Sequence, residues 1–408
     1  MISVEEALER ILAGMRPLGT EQVSLAEALG RVLAVDVAAR VSHPSAAVSA
    51  MDGYAVRSHD VTSVPATLKV IGQSAAGHPF GGKVGRGEAV RTFTGAVVPD
   101  GADAIVIQED TTAGNGAVTV HETVGPGRFI RAKGTDFTEG DILLRAGRQL
   151  SFRDIGLAAA MNVPWLQVSR RPRIAILSTG DEVMLPGDRI LPGQLVGANG
   201  FALAAFVTAA GGVPVDLGIA LDDRDSLLSL AAGAKGADLL ITSGGVSVGD
   251  HDLVQQVLGE VGLEVNFWKV AVRPGKPMVF GHMGDVPLLG FPGNPVAAMV
   301  GALLFLGPAM RALQGLPPQP APRVTAALAR DLPANDVRED YLRATLHHAT
   351  DGTLMVDPFE SQDSAQMARL AQADCLAIRP PLAPPAKAGN SIEIILLDQE
   401  TFQSYRIN

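Results

Sequence analysis

Three short segments of the sequence combine glycine with hydroxyl, amide or carboxylate side chains, and each follows a run of apolar residues. They are Ser-Thr-Gly-Asp-Glu (residues 178–182, loop 1), Ser-Gly-Gly-Val-Ser-Val-Gly-Asp (residues 243–250, loop 2) and Gly-Phe-Pro-Gly-Asn-Pro (residues 290–295, loop 3). Glycine lets the backbone approach a ligand closely, and N–H, hydroxyl and amide groups can donate to an anion. One such segment alone is typical of an ordinary turn between a strand and a helix. Three of them in one region predict an anion-binding site.

The candidate substrate-binding residues of these loops are polar or conformationally special. They are Ser178, Thr179, Gly180, Asp181, Ser243, Gly244, Gly245, Ser247, Gly249, Asp250, Pro292, Gly293, Asn294 and Pro295. None of the loops ends in Gly-Lys-Ser/Thr, so the sequence does not support an ATPase of the P-loop class.

Carboxylates accompany the glycines. Asp181 and Glu182 lie in loop 1, Asp250 and Asp252 at the end of loop 2, and Asp222 in a further predicted loop. Oxygen ligands suit Mg²⁺, so this composition predicts a magnesium-assisted phosphoryl reaction. A solvated surface of mixed charge is the alternative, and it stays open for Asp222 in particular.

Basic residues follow in a stiff segment. Lys269, Arg273 and Lys276 surround Pro274-Gly275 and precede Pro277. Positive charge held in such a segment predicts a contact with an oxyanion.

The elements that must position these loops alternate between strand and helix. Apolar runs at residues 173–177, 213–217, 238–242 and 263–268 predict strands, and residues 199–210, 223–234 and 253–261 predict helices. This alternation is typical of a parallel sheet covered on both faces. Ligands of such sheets bind beyond the carboxyl ends of the strands, which is where loops 1 and 2 stand.

The flanking regions have a different pattern. Ser3 with Glu6 and Ser24 with Glu27 predict capped helices, and a third helix is predicted to open at Ser151 and end near residue 162. Between them, residues 68–72, 104–108 and 117–121 predict short strands. Four prolines in residues 315–322 predict a linker, and the alternation in residues 323–408 predicts a small β domain without helices.

Composition excludes several classes of protein. Of 408 residues, 47% are hydrophobic and 19% charged, which is enough apolar material for several packed cores. The net charge of −10 argues against a nucleic-acid or anionic-membrane partner, and the single cysteine, Cys375, excludes an intramolecular disulfide. The acidic first ten residues are unlike a signal peptide, and the longest apolar run, residues 296–310, falls short of a membrane span. We expect a cytoplasmic protein.

Taken together, the motifs resemble the molybdopterin molybdenumtransferase (MoeA) family, which is related to the E domain of gephyrin. The resemblance rests on Ser-Ala-Met-Asp-Gly-Tyr-Ala (49–55), Thr-Phe-Thr-Gly-Ala (92–96), Gly-Ala-Asp-Ala-Ile-Val (101–106), Arg-Ala-Lys-Gly-Thr-Asp (131–136), loops 1 and 2, Arg-Pro-Gly-Lys-Pro (273–277) and Pro-Gly-Asn-Pro (292–295). These motifs follow the family's order and cover roughly residues 1–310. By itself the run at 49–55 is only a plausible turn with Asp-Gly at its apex.

The resemblance implies a fold. It implies an α/β multidomain protein with a three-layer α/β/α sheet domain of the molybdopterin-binding type, β-rich N-terminal domains and a C-terminal β-barrel-like domain. The expected boundaries are residues 1–45 with 139–171 for a mixed N-terminal domain, 46–138 for an inserted β-rich domain, 172–314 for the sheet domain and 323–408 for the C-terminal domain.

The resemblance also implies a reaction and its residues. The family inserts molybdate into adenylylated molybdopterin and releases AMP with the help of Mg²⁺, in a homodimer whose active sites are shared between subunits. Catalytic roles are then expected for Asp52, Thr94, Asp136, Glu182, Asp222 and Asp252, of which Glu182, Asp222 and Asp252 would be metal ligands. Lys269 and Arg273 would bind molybdate or the pterin phosphate, Pro292 and Pro295 would shape the pocket, and Ser364 is a further candidate for it. The pathway's adenylyltransferase and molybdoenzyme chaperones are expected partners.

Two features depart from the family pattern. Ala46-Ala47-Val48 stands where a Phe-Asp-Asn-like run is usual, and Arg273 stands where a lysine often appears. Alternatives remain at this stage: the adenylyltransferase of the same pathway, an amidase of the CinA type, or a scaffold of the gephyrin kind. The first two lack the Met-Asp-Gly-Tyr region in this arrangement, and the intact acidic and glycine-rich loops argue against a pure scaffold.

Overall fold

A computed structural model describes residues 1–245, 257, 259 and 263–397 of the chain. Its first helix, Val4–Ala13, begins as predicted: the Ser3 hydroxyl accepts the Glu6 N–H at 3.0 Å. The apolar face of this helix, with Ala7 and Ile11 fully buried, packs into the core of the sheet domain.

The rest of the N-terminal domain is built from short strands and one helix. Strand Thr20–Ser24 pairs antiparallel with Trp165–Ser169, Val37–Ala38 pairs with Ile142–Leu144, and the predicted helix at Ser151 spans Phe152–Ala160. The helix predicted after Ser24 is wrong in kind. It is a single 3₁₀ turn, Leu25–Glu27, because the Ser24 hydroxyl donates to the Glu27 carboxylate instead of capping backbone N–H groups.

The inserted β-rich domain is a six-stranded sheet, and the three strands predicted for it are confirmed. In spatial order its strands are Ala104–Ile107, Gly53–Val56, Glu88–Thr92, Ala66–Ser74, Ala117–Val120 and Thr111–Gly114. A separate pair, Val48–Ser49 with Ile130–Arg131, lies beside it, and single 3₁₀ turns span Ser58–Val61 and Gln108–Asp110. Gly53 opens a central strand where a Cβ would stand 1.9 Å from the Val106 carbonyl oxygen, so only glycine fits.

The sheet domain contains a second six-stranded sheet. Its strands, in spatial order, are Val213–Ala220, Arg173–Thr179, Leu239–Ser243, Val286–Phe291, Pro277–Met283 and Leu263–Lys269. Helices Asn199–Ala209 and Arg224–Ala231, the latter extended by the 3₁₀ turn Ala232–Ala234, confirm two predicted helices. The predicted helix at residues 253–261 lies outside the described residues.

The expectation of a wholly parallel sheet is wrong at one strand. Pro277–Met283 runs antiparallel to both of its neighbours. The connections on either side of it are too short for the crossover that a parallel pair requires, so they form hairpins.

A long helical segment closes the sheet domain. Pro295–Gly301, with Pro295 in its first turn as predicted, continues through the π-helical turn Ala302–Leu306 into Gly307–Leu313. Among the described residues this segment is the one long and apolar enough to cross a membrane, but 89% of its apolar window is buried inside the protein. It is packed as a core helix.

The C-terminal domain is a closed five-stranded barrel. Its strands are Val324–Leu328, Glu339–His348, Leu354–Pro358, Cys375–Arg379 and Ser391–Leu396, and it closes because Glu339–His348 pairs with both Leu354–Pro358 and Cys375–Arg379. Strand Val272–Arg273 of the sheet domain adds to it in parallel. The prediction that this region has no helix is wrong, since Met367–Ala371 is helical. Its residues are good helix formers, but one turn is too short to show a helical period.

Candidate active site

The described parts of the three glycine-rich loops meet at one cleft of about 890 Å³. Loop 1 follows strand Arg173–Thr179, loop 2 follows Leu239–Ser243 and loop 3 follows Val286–Phe291, three parallel neighbours whose carboxyl ends share one edge of the sheet. The predicted residues that line the cleft are Ser178, Thr179, Gly180, Glu182, Asp222, Ser243, Gly244, Gly245, Pro292, Gly293, Asn294 and Pro295. Ser247, Gly249, Asp250 and Asp252 lie outside the described residues.

A residue that the sequence analysis missed joins two of the loops. The Asn199 amide nitrogen donates to the Ser243 hydroxyl and to the Gly293 carbonyl oxygen, both at 2.8 Å, and Asn199 also lines the cleft. The available signal was an asparagine in Gly197-Ala-Asn-Gly200, directly at the start of a predicted helix. Asn199 therefore fixes the separation of loops 2 and 3.

Loop 2 passes loop 1 at a distance that only glycine permits. Gly244 has a φ of +93°, and a Cβ there would stand 2.7 Å from the Thr179 carbonyl oxygen and 2.8 Å from its Oγ1. The Thr179 hydroxyl itself is buried and has no hydrogen-bond partner within the described part of the chain. A donor is thus held at the wall of the cleft without an internal acceptor.

The carboxylates of loop 1 and Asp222 lie close together. Asp181 accepts the backbone N–H of Asp222 at 2.9 Å, while Glu182 and Asp222 both line the cleft. Burial raises the pKa of Asp222, and the negative charges of Asp181 and Glu182 raise it further. A cation bound at this position would relieve that repulsion. Within the described ranges no three His, Cys, Asp or Glu side chains form a metal site, and the third expected ligand, Asp252, is not among the described residues.

The C-terminal barrel supplies part of the cleft wall. Ala365 and Met367 line it, and the neighbouring Ser364 hydroxyl accepts from the Asn294 amide at 2.9 Å. The Ser364 carbonyl also accepts the Val296 N–H at 3.1 Å. The structure therefore brings the predicted Ser364 to loop 3.

Buried Arg343 fixes the segment that carries Ser364. The Arg343 guanidinium, on a residue only 1% exposed, donates to the Gln362 side chain at 3.2 Å and to the Asp363 carbonyl at 2.9 Å. The loop between them is thereby tied to the barrel core.

The basic residues are distributed differently from the expectation. Lys269 and Lys276 are exposed, and neither forms an ion pair in the part of the chain that the structure describes. Neither lines the cleft, although the adjacent Pro277 does. The Arg273 guanidinium is turned toward the barrel, where it binds Asp340.

Asp52 and Thr94 form a site of their own. The Thr94 N–H and hydroxyl donate to one Asp52 carboxylate oxygen at 2.8 and 2.9 Å. These two bonds, with a smaller contribution from the charge of Arg91, lower the pKa of Asp52. Arg91 lies over the rings of Tyr54 and Phe93, 5.0 and 5.1 Å from their centroids, and so supports both segments.

The N-terminal candidates do not reach the cleft of their own chain. Asp52, Thr94 and the exposed Asp136 are absent from its lining, and the Asp136 N–H is used by the His43 carbonyl at 3.0 Å. One chain thus carries two separate groups of candidate residues.

Comparisons with known proteins match the regions that carry both groups of candidate residues to one family. Three family models match in order: the MoeA N-terminal region (domain I and II) at residues 2–162, the probable molybdopterin binding domain at 175–312, and the MoeA C-terminal region (domain IV) at 325–397. A molybdopterin molybdenumtransferase of Nostoc sp. is 38% identical over 88% of this chain and 85% of its own length. The chain belongs to the MoeA family.

Other relatives extend the match over nearly the whole length. A molybdopterin molybdenumtransferase of Haemophilus influenzae is 34% identical over 97% of this chain and 98% of its own. Among solved structures, a molybdopterin biosynthesis MoeA protein of Pyrococcus horikoshii superposes with a TM-score of 0.85 at 31% identity, covering 98% of this chain and 99% of that one. The MoeA architecture of sheet-rich N-terminal region, molybdopterin-binding-type domain and barrel is therefore that of the present chain, as the resemblance implied.

Proposed function

We propose that this chain is a molybdopterin molybdenumtransferase, which inserts molybdate into adenylylated molybdopterin and releases AMP. The observation that carries the proposal is the cleft at the carboxyl edge of the sheet, where loops 1 to 3 meet the carboxylates of Glu182 and Asp222. Relatives that share at least 31% identity with nearly the whole chain have this name, which supports the same activity here.

The loops supply the groups that an adenylylated phosphate needs. Backbone N–H groups near Gly293, the Ser178 hydroxyl and the buried Thr179 hydroxyl, which has no partner among the described residues, can donate to phosphate oxygens. Because the fold already holds these donors in position, they can stabilise the negative charge that develops as AMP leaves without having to reorient during the reaction.

The residues fit a Mg²⁺ ion bound together with substrate. Mg²⁺ usually takes one or two protein carboxylates plus substrate phosphates, and Glu182 and Asp222 offer hard oxygen ligands at the cleft wall. When bound, the ion neutralises phosphate charge and so assists the departure of AMP. The Asp181 carboxylate accepts the backbone N–H of Asp222 and so holds Asp222 in place, and Asp252 is the expected third ligand.

A homodimer would complete the site. Asp52, Thr94 and Asp136 lie away from the cleft of their own chain, so we propose that a second copy presents them to it. We further propose that the protein acts in the cytoplasm and receives its substrate from the adenylyltransferase of the pathway.

Reconstitution tests the proposal directly. Purified protein is incubated with adenylylated molybdopterin, Mg²⁺ and molybdate; AMP is measured chromatographically and cofactor by activation of a molybdoenzyme apoprotein. We expect AMP and active cofactor to appear together, and neither without molybdate. Absence of both products with folded protein would refute the proposed activity and leave the scaffold alternative.

A further inference from the structure

Arg273 stands in the segment from which an anion ligand is expected, but most of its donors are already engaged. Its Nε donates to one Asp340 oxygen at 2.5 Å, and its Nη2 donates to the other Asp340 oxygen. Nη2 also donates to the Asn335 side chain at 3.1 Å, and Nη1 reaches Asp336 at 3.4 Å. Each of the three guanidinium nitrogens therefore has an acceptor in the C-terminal barrel.

The Arg273 guanidinium is paired with carboxylates of the barrel. The Asp340 side chain is only 3% exposed, and Asp336 lies beside it. The hydrogen bonds from Arg338 lower the pKa of Asp336 to about 2, and the Arg338 guanidinium pairs with this carboxylate at 2.7 Å. Molybdate or a phosphate approaching Arg273 would have to displace the buried Asp340 carboxylate from a bidentate pair.

The same contacts hold a segment that reaches the cleft. Strand Val272–Arg273 pairs in parallel with Glu339–Asp340 of the barrel, and the Val270 N–H donates to the Lys276 carbonyl at 3.1 Å. This closes the connection between residues 269 and 277, and its last residue, Pro277, lines the cleft. The anchor at Arg273 thus acts on the cleft through the backbone.

We infer that Arg273 is a positioning residue, which anchors the 270–277 segment to the barrel through Asp340 and does not bind the anionic substrate. The inference rests on the proposed function for its kinetic test, and on the fold alone for its exchange test. The lysine usual in the family cannot form the two parallel bonds that the planar guanidinium makes with Asp340.

Four variants separate an anchor from a ligand. Arg273→Met leaves Asp340 buried and unpaired, and should lower kcat/KM between about 10- and 100-fold by displacing the segment. Arg273→Met combined with Asp340→Leu replaces the pair by apolar groups, a change that often preserves folding. An anchor predicts that this double variant recovers most of the lost kcat/KM, with a KM for molybdate within about twofold of the unsubstituted protein. A ligand predicts a double variant as impaired as Arg273→Met, with a raised KM for molybdate, and that result would overturn the inference.

Asp340→Asn covers the case in which the double variant does not fold. It keeps the guanidinium but weakens its bonds to residue 340. If Arg273 is an anchor, kcat/KM should fall. If Arg273 is a ligand, the KM for molybdate should stay unchanged or decrease, because the guanidinium is released. Asp336→Asn is the matched control: this half-exposed acid contacts Arg273 only at 3.4 Å, so its kcat/KM should change less than about twofold.

Amide hydrogen exchange tests the anchor without any substrate. A peptide spanning residues 270–277 should exchange at least about tenfold faster in Arg273→Met and Asp340→Asn than in Asp336→Asn, and return toward the original rate in the double variant. Equal exchange in all variants would refute the anchor. If the unsubstituted protein were inactive while its 270–277 peptide stayed protected from exchange, the result would count against the proposed function and not against the anchor.

Discussion

At the scale of the residue, Asp52 shows how local bonds prepare a functional group. Two donors from Thr94 hold one carboxylate oxygen, and these bonds lower the pKa of Asp52 and so favour its ionised form. The unusual Ala46-Ala47-Val48 lies close by, where the Ala47 carbonyl accepts the Val98 N–H at 2.9 Å. That contact uses backbone only, so the segment keeps its place without the acid and amide usual in the family.

Asp52→Ala is expected to reduce turnover at least about 100-fold with only a small fall in melting temperature. The side chain is half-exposed and contributes a charge to chemistry. Its removal takes away two hydrogen bonds from Thr94 but nothing from a core. AMP release and thermal unfolding measure the two effects.

Asp351→Ala provides the matched control for that variant. Asp351 is exposed and also accepts a backbone N–H, from Thr353 at 2.9 Å, but it lies in a barrel turn away from the cleft. It should keep near-full activity. Equal rates for the two variants would remove Asp52 from the candidate site.

The raised pKa of Asp222 predicts a pH dependence of activity, which Mg²⁺ should shift. Its pKa is raised by burial and by its acidic neighbours, so the acid limb of kcat/KM should lie above the ordinary carboxyl range. A bound cation favours the ionised form and lowers this pKa; raising the Mg²⁺ concentration should therefore move the limb to lower pH. Rate profiles at two Mg²⁺ concentrations test this, and Asp222→Asn should abolish the shift. A limb independent of Mg²⁺ would argue against Asp222 as a ligand.

At the scale of the element, the cleft depends on how closely two strand-to-helix connections approach. Parallel strands deliver loops 1 to 3 to one edge, but the contact between loops 1 and 2 exists only because residue 244 has no side chain. The glycines of these loops thus set the width of the cleft.

Gly244→Ala is expected to cost on the order of 3 kcal/mol of unfolding free energy and to reduce activity strongly, since it adds both an unfavourable φ and a backbone clash. Gly236→Ala is the control, because Gly236 has a similar φ of +83° with nothing within 4 Å of a Cβ. It should cost about 1 kcal/mol and leave activity intact. Denaturant unfolding and AMP release measure both; equal losses would show that the close approach to Thr179 is unimportant.

At the scale of the whole molecule, the chain holds its candidate residues in two places. The cleft belongs to the sheet domain and barrel, whereas Asp52 and Thr94 belong to the inserted sheet. The fold within one chain does not bring them together, so a complete site would require the proposed association with a second copy.

Mixing Asp52→Ala with Glu182→Ala should restore part of the activity if each site draws on two chains. Each variant alone is inactive, but a mixed dimer contains one site free of both substitutions, so activity should approach about one quarter of the original after random exchange. Light scattering should confirm the dimer, and tagged subunits the mixing. Inactive verified mixed dimers would place each complete site within a single chain.

The sequence by itself determined the local features. Turn chemistry, apolar runs and caps are encoded by neighbouring residues, so loops 1 to 3, four strands of the sheet domain, three strands of the inserted sheet and the capped helix at Ser3 could be predicted. The order of the motifs identified the family. The antiparallel direction of strand Pro277–Met283 is established by its pairing with both neighbours. The short connections on either side of it agree with this direction.

Only the tertiary structure decided which distant groups meet. Asn199 bonds Ser243 and Gly293, which are 44 and 94 positions away, and Arg273 finds Asp340 at a separation of 67. Such contacts leave no periodic trace in the sequence, because they depend on how whole elements pack rather than on neighbouring residues. For that reason the sequence predicts that Arg273 binds an anion, whereas we infer from its contacts in the fold that it anchors the 270–277 segment.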